Sequence, residues 1–196
     1  MGLRSVTLVA LAMTIWLAAP AGFGSAQDAG RTVVPGERLG SIAIGMVTDE
    51  VQRVMGDPAE RSEDQGLWIY RLNHDGQDLD YRLGFRDGKV QWLQTNGMGW
   101  TFASGEKIIG MNWRAVFQML GMPDDLYGVP TGFGPAVVFL YNSRGIVFVM
   151  APAERSAEQD PIVVQLFRIF PPNTWYQSVG RVVDRDLVAG LAPGGD

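Results

Sequence analysis

The feature that most constrains the fold is a set of residues that recurs along the chain at one fixed spacing. The sequence Ile-Gly-Met occupies positions 44–46 and again positions 109–111, 65 residues further on. A Gly-x-Pro sequence at 56–58 recurs at 121–123 with the same spacing and no insertion between the matches. Several matches at a single spacing are typical of an internal duplication. The sequence therefore predicts two copies of one structural unit.

Each predicted unit begins with a short amphipathic helix. Apolar residues recur at spacings of three and four in both segments, which places them along one side of a helix. Thr48 is the predicted N-cap of the first helix and Asn112 that of the second, because both side chains can accept a bond from a free backbone N–H. Gly56 and Gly121, each followed two positions later by a proline, are predicted to end the helices.

Antiparallel strands are predicted after each helix. Apolar and polar residues alternate between positions 79 and 85, and Asp87-Gly88 supplies a tight turn to the next strand. The predicted strands cover residues 67–72, 79–85, 90–95, 136–141, 146–150 and 162–170. The predicted fold class is therefore α+β, with two tandem helix-then-antiparallel-sheet (α-β-β-β) repeats.

The strands of the second unit differ from those of the first because they are apolar on both faces. Residues 137–141 and 146–150 contain no charged side chain. Strands of this kind are usually covered on both sides. The other unit, the C-terminal tail and a partner chain are the three candidates for the cover of the second face.

The first residues predict an exported protein. Arg4 precedes an apolar run that ends at Pro20, and small residues at 24–26 form a cleavage site for a signal peptidase. The run is shorter than a membrane span of about 20 residues, so we expect cleavage near Ala26 and no transmembrane span afterwards. We expect a periplasmic or secreted protein. The expected segments are a signal peptide (1–26), an N-terminal linker (27–39), repeat unit 1 (40–98), repeat unit 2 (99–172) and a C-terminal tail (173–196).

Composition limits the chemistry and the partners. The chain has no cysteine, which excludes disulfides, thiolate metal sites, cysteine nucleophiles and a lipid on an N-terminal cysteine. Its net charge of −5 lacks the basic footprint of a protein that binds nucleic acid. No catalytic, metal or cofactor site is predicted. The only histidine, His74, lies in a turn sequence.

Three acidic or glycine-rich features are weak candidates for chemistry. Asp75, Asp78 and Asp80 surround the loop of His74 and could form a weak calcium site, but a solvated hairpin is the preferred interpretation. Adjacent carboxylates, at Asp124 and Asp125, usually point apart. The glycines at 132–134 lack the preceding strand and following helix of a phosphate-binding loop. The prediction is that the chain is not an enzyme.

Loop aromatics are the candidate binding residues. Trp100, Tyr127 and Phe133 lie in or beside glycine-rich stretches, where exposed aromatic side chains often anchor a protein partner. The alternative is that these side chains pack in the core.

The first unit resembles a known family. The Ile-Gly-Met at 44–46, Val51 and the Gly-Asp-Pro at 56–58 are similar to the helix region of the small outer-membrane assembly lipoproteins (SmpA/OmlA, the BamE-like fold). The Trp-Ile-Tyr at 68–70 and the hairpin at 83–90 are similar to the sheet of that family. The second unit matches more loosely. Two such units in tandem resemble the secreted β-lactamase inhibitor proteins.

The resemblance implies binding to other proteins rather than catalysis. The assembly lipoproteins carry one unit and a lipidated cysteine, so their role in outer-membrane assembly does not transfer to this chain. The expected function is that of a non-catalytic periplasmic or secreted protein-binding module of the cell envelope, of adaptor or inhibitor type. One alternative is binding of a lipid or small apolar ligand, and another is an enzyme of unknown type.

Overall fold

The computed structural model describes residues 29–74, 77–131, 134–153 and 162–175. These residues form two α-helices and two sheets, with strands numbered in chain order. The helices are α1 (Thr48–Met55) and α2 (Trp113–Leu120). The four-stranded sheet contains β1 (Thr32–Val34), β2 (Arg38–Leu39), β3 (Ile42–Ala43) and β8 (Thr101–Phe102). The eight-stranded sheet contains β4 (Glu60–Ser62), β5 (Leu67–His74), β6 (Gln77–Arg86), β7 (Lys89–Thr95), β9 (Asp125–Thr131), β10 (Gly134–Tyr141), β11 (Ile146–Pro152) and β12 (Ile162–Ile169).

The strands that follow the two helices form one continuous sheet. Its order is β4-β5-β6-β7-β12-β11-β10-β9, and all neighbours are antiparallel. The junction is the pairing of β7 with β12, where Gln94 lies opposite Arg168. This pairing satisfies backbone groups of two strands that would otherwise be sheet edges. The predicted fold class, two tandem α-β-β-β repeats, is therefore wrong: the described residues are mostly strand, in two sheets with two short helices.

The predicted helices and strands agree with the structure better than the predicted architecture does. Both helices lie at the predicted positions, and all six predicted strands overlap observed ones. Asn112 caps α2 as predicted, since its Oδ1 accepts a bond of 3.0 Å from the Ala115 N–H. Thr48 is not the cap of α1, because the N-cap is Val47, which makes no side-chain bond. The strands β4 and β9 and the small sheet were not predicted.

The small sheet is built partly from residues assigned above to a linker. β1 pairs antiparallel with β2 and parallel with β8, so the start of the described chain is tied to the segment that precedes α2. Val33 and Leu39 are buried in the core between this sheet, the helices and the large sheet. Tyr81 of β6 donates a hydrogen bond of 2.8 Å to the Leu39 carbonyl and so joins the two sheets.

Buried tyrosines also hold the ends of the helices. The Tyr70 hydroxyl donates to the carbonyl of Gly56, which ends α1, over 3.1 Å. The Tyr141 hydroxyl donates to the carbonyl of Gly121, which ends α2, over 2.9 Å. Each bond satisfies a carbonyl that has no partner within its helix. A tyrosine of the large sheet thus fixes the end of each helix, and it does so through the same kind of hydrogen bond in both cases.

We expect the Tyr141→Phe variant to change how stability depends on alkaline pH. Burial raises the pKa of Tyr141 to about 12, with a smaller opposing effect of Arg144. Above pH 10 the unfolded chain therefore binds fewer protons than the folded one, so the free energy of unfolding falls as pH rises from 10 towards 12. The variant should lose about 1 kcal/mol at pH 7, from the bond to Gly121. Its decline above pH 10 should be shallower in urea titrations, and a decline parallel to that of the natural chain would contradict this account.

Candidate functional site

The two faces of the large sheet have different surroundings. One face carries the helices and the small sheet, and we call the opposite one the outer face. On β9–β11 and at Leu166 of β12 the outer face is apolar, and Phe170 and Trp175 pack on it, with their ring centroids 4.9 Å apart. Trp175 is held there by a hydrogen bond of 3.1 Å that its backbone N–H donates to Asn142 Oδ1. The chain itself therefore covers part of the apolar face.

The other half of the outer face carries polar side chains. Arg82, Gln94 and Arg168 lie directly opposite one another on β6, β7 and β12 and so form one row across the sheet. Arg168 donates from Nε and Nη2 to Gln94 Oε1, over 2.8 and 2.6 Å. Both residues are only 1% exposed. These bonds offset part of the cost of burying a guanidinium, which is high without hydrogen bonds.

Trp92 lies next to this row. The Arg168 guanidinium carbon is 4.0 Å from the centre of the Trp92 ring, which is the geometry of a cation–π contact. Gly84 of β6 lies opposite Trp92, and the indole passes directly over it. A Cβ on Gly84 would lie 2.6 Å from Trp92 Cζ2 and still nearer to other atoms of the ring. The indole therefore needs a glycine at this position, and the Arg168 guanidinium also packs on its ring.

Arg82 and Asp80 complete the group, which we call the Trp92 array (Asp80, Arg82, Gly84, Trp92, Gln94 and Arg168). Arg82 Nη2 donates to Asp80 Oδ2 over 2.8 Å, and their side chains are 18% and 34% exposed. Arg82 Nε is buried and has no hydrogen-bond partner within the described ranges. The array thus combines an indole held by Arg168 with an Arg82–Asp80 ion pair whose side chains remain partly exposed.

The predicted binding residues do not form one site. Trp100 is 7% exposed and stacks on Tyr81 at 5.7 Å, so it lies in the core on the helix side. Tyr127 is in strand β9 rather than in a loop, and it packs against the apolar half of the outer face. Phe133 lies outside the described residues.

The acidic candidates make ordinary structural contacts where they are described. Asp124 Oδ2 accepts from the Ser143 N–H over 2.7 Å, and Asp125 Oδ1 accepts from the Leu126 N–H over 2.8 Å. Asp80 is paired with Arg82. In the part of the chain that the structure describes, no three His, Asp or Glu side chains converge as metal ligands would. Asp75 lies outside that part.

The Trp92 array was not predicted, although the sequence contains two signals for it. Gly84 interrupts the alternation of β6 on its polar side, and a glycine inside a strand often marks a close approach of another group. Arg168 is a lone charge in the apolar strand β12. Neither signal identifies its partner, because the row across β6, β7 and β12 exists only once β7 and β12 are paired.

Comparisons with known proteins leave the family open. No family model matches the chain, and no curated protein matches it. Similar solved structures include the DUF4309 family protein YjgB of Bacillus subtilis, with 15% identity, coverage of 74% of this chain and 95% of that chain, and a TM-score of 0.45. The uncharacterised protein yfeY of Escherichia coli gives 12% identity, coverage of 71% and 99%, and a TM-score of 0.42.

A third similar structure is the cysteine-rich secretory protein SAV1118 of Staphylococcus aureus, with 11% identity, coverage of 72% of this chain and 49% of that chain, and a TM-score of 0.39. These are not the outer-membrane assembly lipoproteins or β-lactamase inhibitor proteins that the sequence motifs resemble. The single eight-stranded sheet also differs from the predicted tandem repeats. The predicted resemblance is therefore wrong. Neither described helix has the length and apolar character needed to span a bilayer.

Proposed function

We propose that this chain is a non-catalytic protein-binding module of the cell envelope, periplasmic or secreted, and that it binds its partner through the Trp92 array. Tryptophan and arginine are the residues most enriched at the energetic centres of protein interfaces. The array places both on one polar sheet face. The export-type N-terminal sequence supports the location.

The observation that carries the proposal is the way in which Trp92 is held. Gly84 lies beneath the indole, the Arg168 guanidinium lies 4.0 Å from the ring centre, and the side chain remains partly exposed. A side chain that is already immobilised loses little entropy when a partner packs on it. Trp92 is therefore suited to act as a rigid anchor.

Arg82 supplies the polar contact next to this anchor. Partly exposed charged side chains can form charge-assisted hydrogen bonds with a bound protein, and such bonds are stronger than neutral ones. The exposed parts of the Arg82 and Asp80 side chains, 18% and 34%, can bind polar groups of the bound protein, while Arg82 Nη2 keeps its bond to Asp80. We expect the partner to present an acidic or carbonyl-rich segment beside an apolar group that packs on Trp92.

The test is capture of an envelope or extracellular protein by the immobilised full chain, followed by binding measurements with the purified partner. We expect Trp92→Ala to weaken binding by at least about tenfold, as is usual for an interface centre. The matched control is Trp113→Ala, because Trp113 also has a guanidinium near its ring, that of Arg114 at 5.1 Å, but lies on α2. Loss of binding with Trp113→Ala and normal binding with Trp92→Ala would overturn the proposal.

The packing of the outer face does not favour the alternative of lipid or apolar-ligand binding. The apolar strands that suggested a pocket are closed, since Val138, Leu140 and Val149 are all 0% exposed. A ligand carrier would need open apolar volume at this place. Native mass spectrometry of the purified chain would show a retained lipid if this alternative holds.

A further inference from the structure

The two edges of the large sheet differ in how well they are protected. β4 is three residues long and carries Glu60 and Arg61, and short charged edges resist pairing with another chain. β9 is seven residues long, and within the described residues it pairs only with β10. On β9 Leu126 is 51% exposed, and Gly128 is exposed as well. The edge formed by β9 is therefore open for the addition of a strand.

The proline pair identifies which backbone groups of β9 face away from the sheet. Pro130 lies opposite Pro135, and two residues without an N–H cannot exchange the paired bonds of an antiparallel ladder. The hydrogen-bonded positions are thus the odd-numbered ones, and Leu126, Gly128 and Pro130 direct their backbone groups outwards. The Leu126 N–H agrees with this assignment, because it donates to its neighbour Asp125 rather than to β10.

We propose that β9 pairs antiparallel with β9 of a second copy of this chain, around a two-fold axis at Gly128. The sequence of β9, Asp-Leu-Tyr-Gly-Val-Pro-Thr, matches itself in this register. Leu126 then faces the partner subunit's Pro130, and Tyr127 faces the partner subunit's Val129. Apolar residues therefore meet apolar residues on both faces of the extended sheet, which is how cross-strand pairs stabilise a sheet.

The backbone bonds fit the same register. The Gly128 N–H donates to the carbonyl of the partner subunit's Gly128, and the reverse bond forms by symmetry. The Leu126 N–H exchanges Asp125 Oδ1 for the carbonyl of the partner subunit's Pro130. Pro130 itself donates nothing, which limits the pairing to the centre of the strand.

The acidic residue of β9 selects this register over its neighbour. With the axis at Gly128, Asp125 faces the partner subunit's Thr131, and the two Asp125 carboxylates lie about 20 Å apart, beyond the screening length of physiological salt. An axis at Leu126 would bring them within about 7 Å of each other. Because a two-fold pairing uses the same strand of both copies, the assembly closes as a dimer. The Trp92 array lies on β6, β7 and β12, away from this edge, so the inference goes beyond the proposed function.

A single introduced cysteine tests the register, since the natural chain has none. A side chain fits at Gly128, where the nearest atom to an added Cβ is the Ala136 carbonyl oxygen at 3.9 Å. Gly128→Cys should form a disulfide-linked dimer under mild oxidation, because the two Cα atoms lie about 5.5 Å apart. Leu126→Cys should not, because its Cα atoms lie about 13 Å apart. Equal cross-linking of both variants, or none with Gly128→Cys, would overturn the register.

Analytical ultracentrifugation of the unsubstituted chain, which has no cysteine, tests whether the dimer forms. We expect the natural chain to dimerise with rising concentration and Leu126→Lys to raise the dissociation constant by at least about tenfold, since it removes apolar contacts at two symmetric places. Val54→Lys is the matched control, because Val54 on α1 is 50% exposed, nearly as much as Leu126 at 51%. A chain that stays monomeric at all concentrations, or a dimer unaffected by Leu126→Lys, would refute the proposal.

Discussion

Replacing Gly84 with alanine is expected to displace Trp92 and to remove partner binding. The added Cβ would lie 2.6 Å from Trp92 Cζ2, so the indole must leave the strand surface and lose its contact with Arg168. Overpacking of this kind together with a lost cation–π contact should cost about 3 kcal/mol of unfolding free energy. Urea unfolding followed by Trp fluorescence gives the stability, and titration with the purified partner gives the binding loss.

A double-mutant cycle identifies the cause of that effect. In the background of Trp92→Ala, the Gly84→Ala change should cost well under 1 kcal/mol, because the clashing ring is gone. Gly128→Ala, measured at concentrations at which the chain is monomeric, serves as a control for an alanine in a strand, since its Cβ meets nothing nearer than 3.9 Å. If Gly84→Ala costs the same with and without Trp92, the indole is not the group that requires this glycine.

Replacing Gly145 with alanine is expected to lower the free energy of unfolding by a similar amount, because the added Cβ would clash with backbone atoms. Gly145 has φ 69° in the turn between β10 and β11, and an added Cβ would lie 2.7 Å from Gly36 Cα and even closer to the Phe170 carbonyl oxygen. Both neighbours are backbone, so neither can rotate away. The change should cost about 3 kcal/mol or more.

Besides lowering the stability of the whole fold, the Gly145→Ala change should loosen the segments that bind the Gly145 carbonyl. The Gly145 carbonyl accepts bonds from the Gly36 and Phe170 N–H groups, so the turn before β2 and the segment carrying Trp175 should both loosen. Gly88→Ala is the matched control, because Gly88 has the same φ of 69° and nothing within 4 Å of an added Cβ. It should cost only about 1 kcal/mol from the left-handed conformation. Thermal unfolding and hydrogen exchange at Phe170 measure both effects, and equal losses in the two variants would contradict the clash.

Much of the local structure followed from the sequence because its causes are local. Gly56 and Gly121 end helices by their own conformational freedom, and Asn112 caps α2 through a bond to a residue three positions away. Thr48 is not the cap because α1 begins one residue earlier than its side chain suggests: the N-cap is Val47, 65 positions before Asn112, and it has no side-chain acceptor.

The two edge strands, β4 and β9, were not predicted, and the reason is different. β4 is short and fully polar in composition, and β9 contains a glycine and a proline that usually mark a loop. Each is a strand because its neighbour, β5 or β10, offers an unpaired edge. Tyr127 was accordingly assigned to a loop, and Trp100 to the surface, although Tyr81 covers it.

The sequence by itself determined the two helices, their spacing of 65 residues and the six principal strands, since periodicity, caps and turns act over a few residues. Only the tertiary structure decided that those strands form one sheet, that residues before the first helix build a second sheet, and that Gly84, Trp92 and Arg168 meet. The pairing of β7 with β12 joins positions 74 residues apart in the chain, as in the bond from Arg168 to Gln94. Such pairing depends on which edges remain free after local folding, and no local pattern encodes that choice.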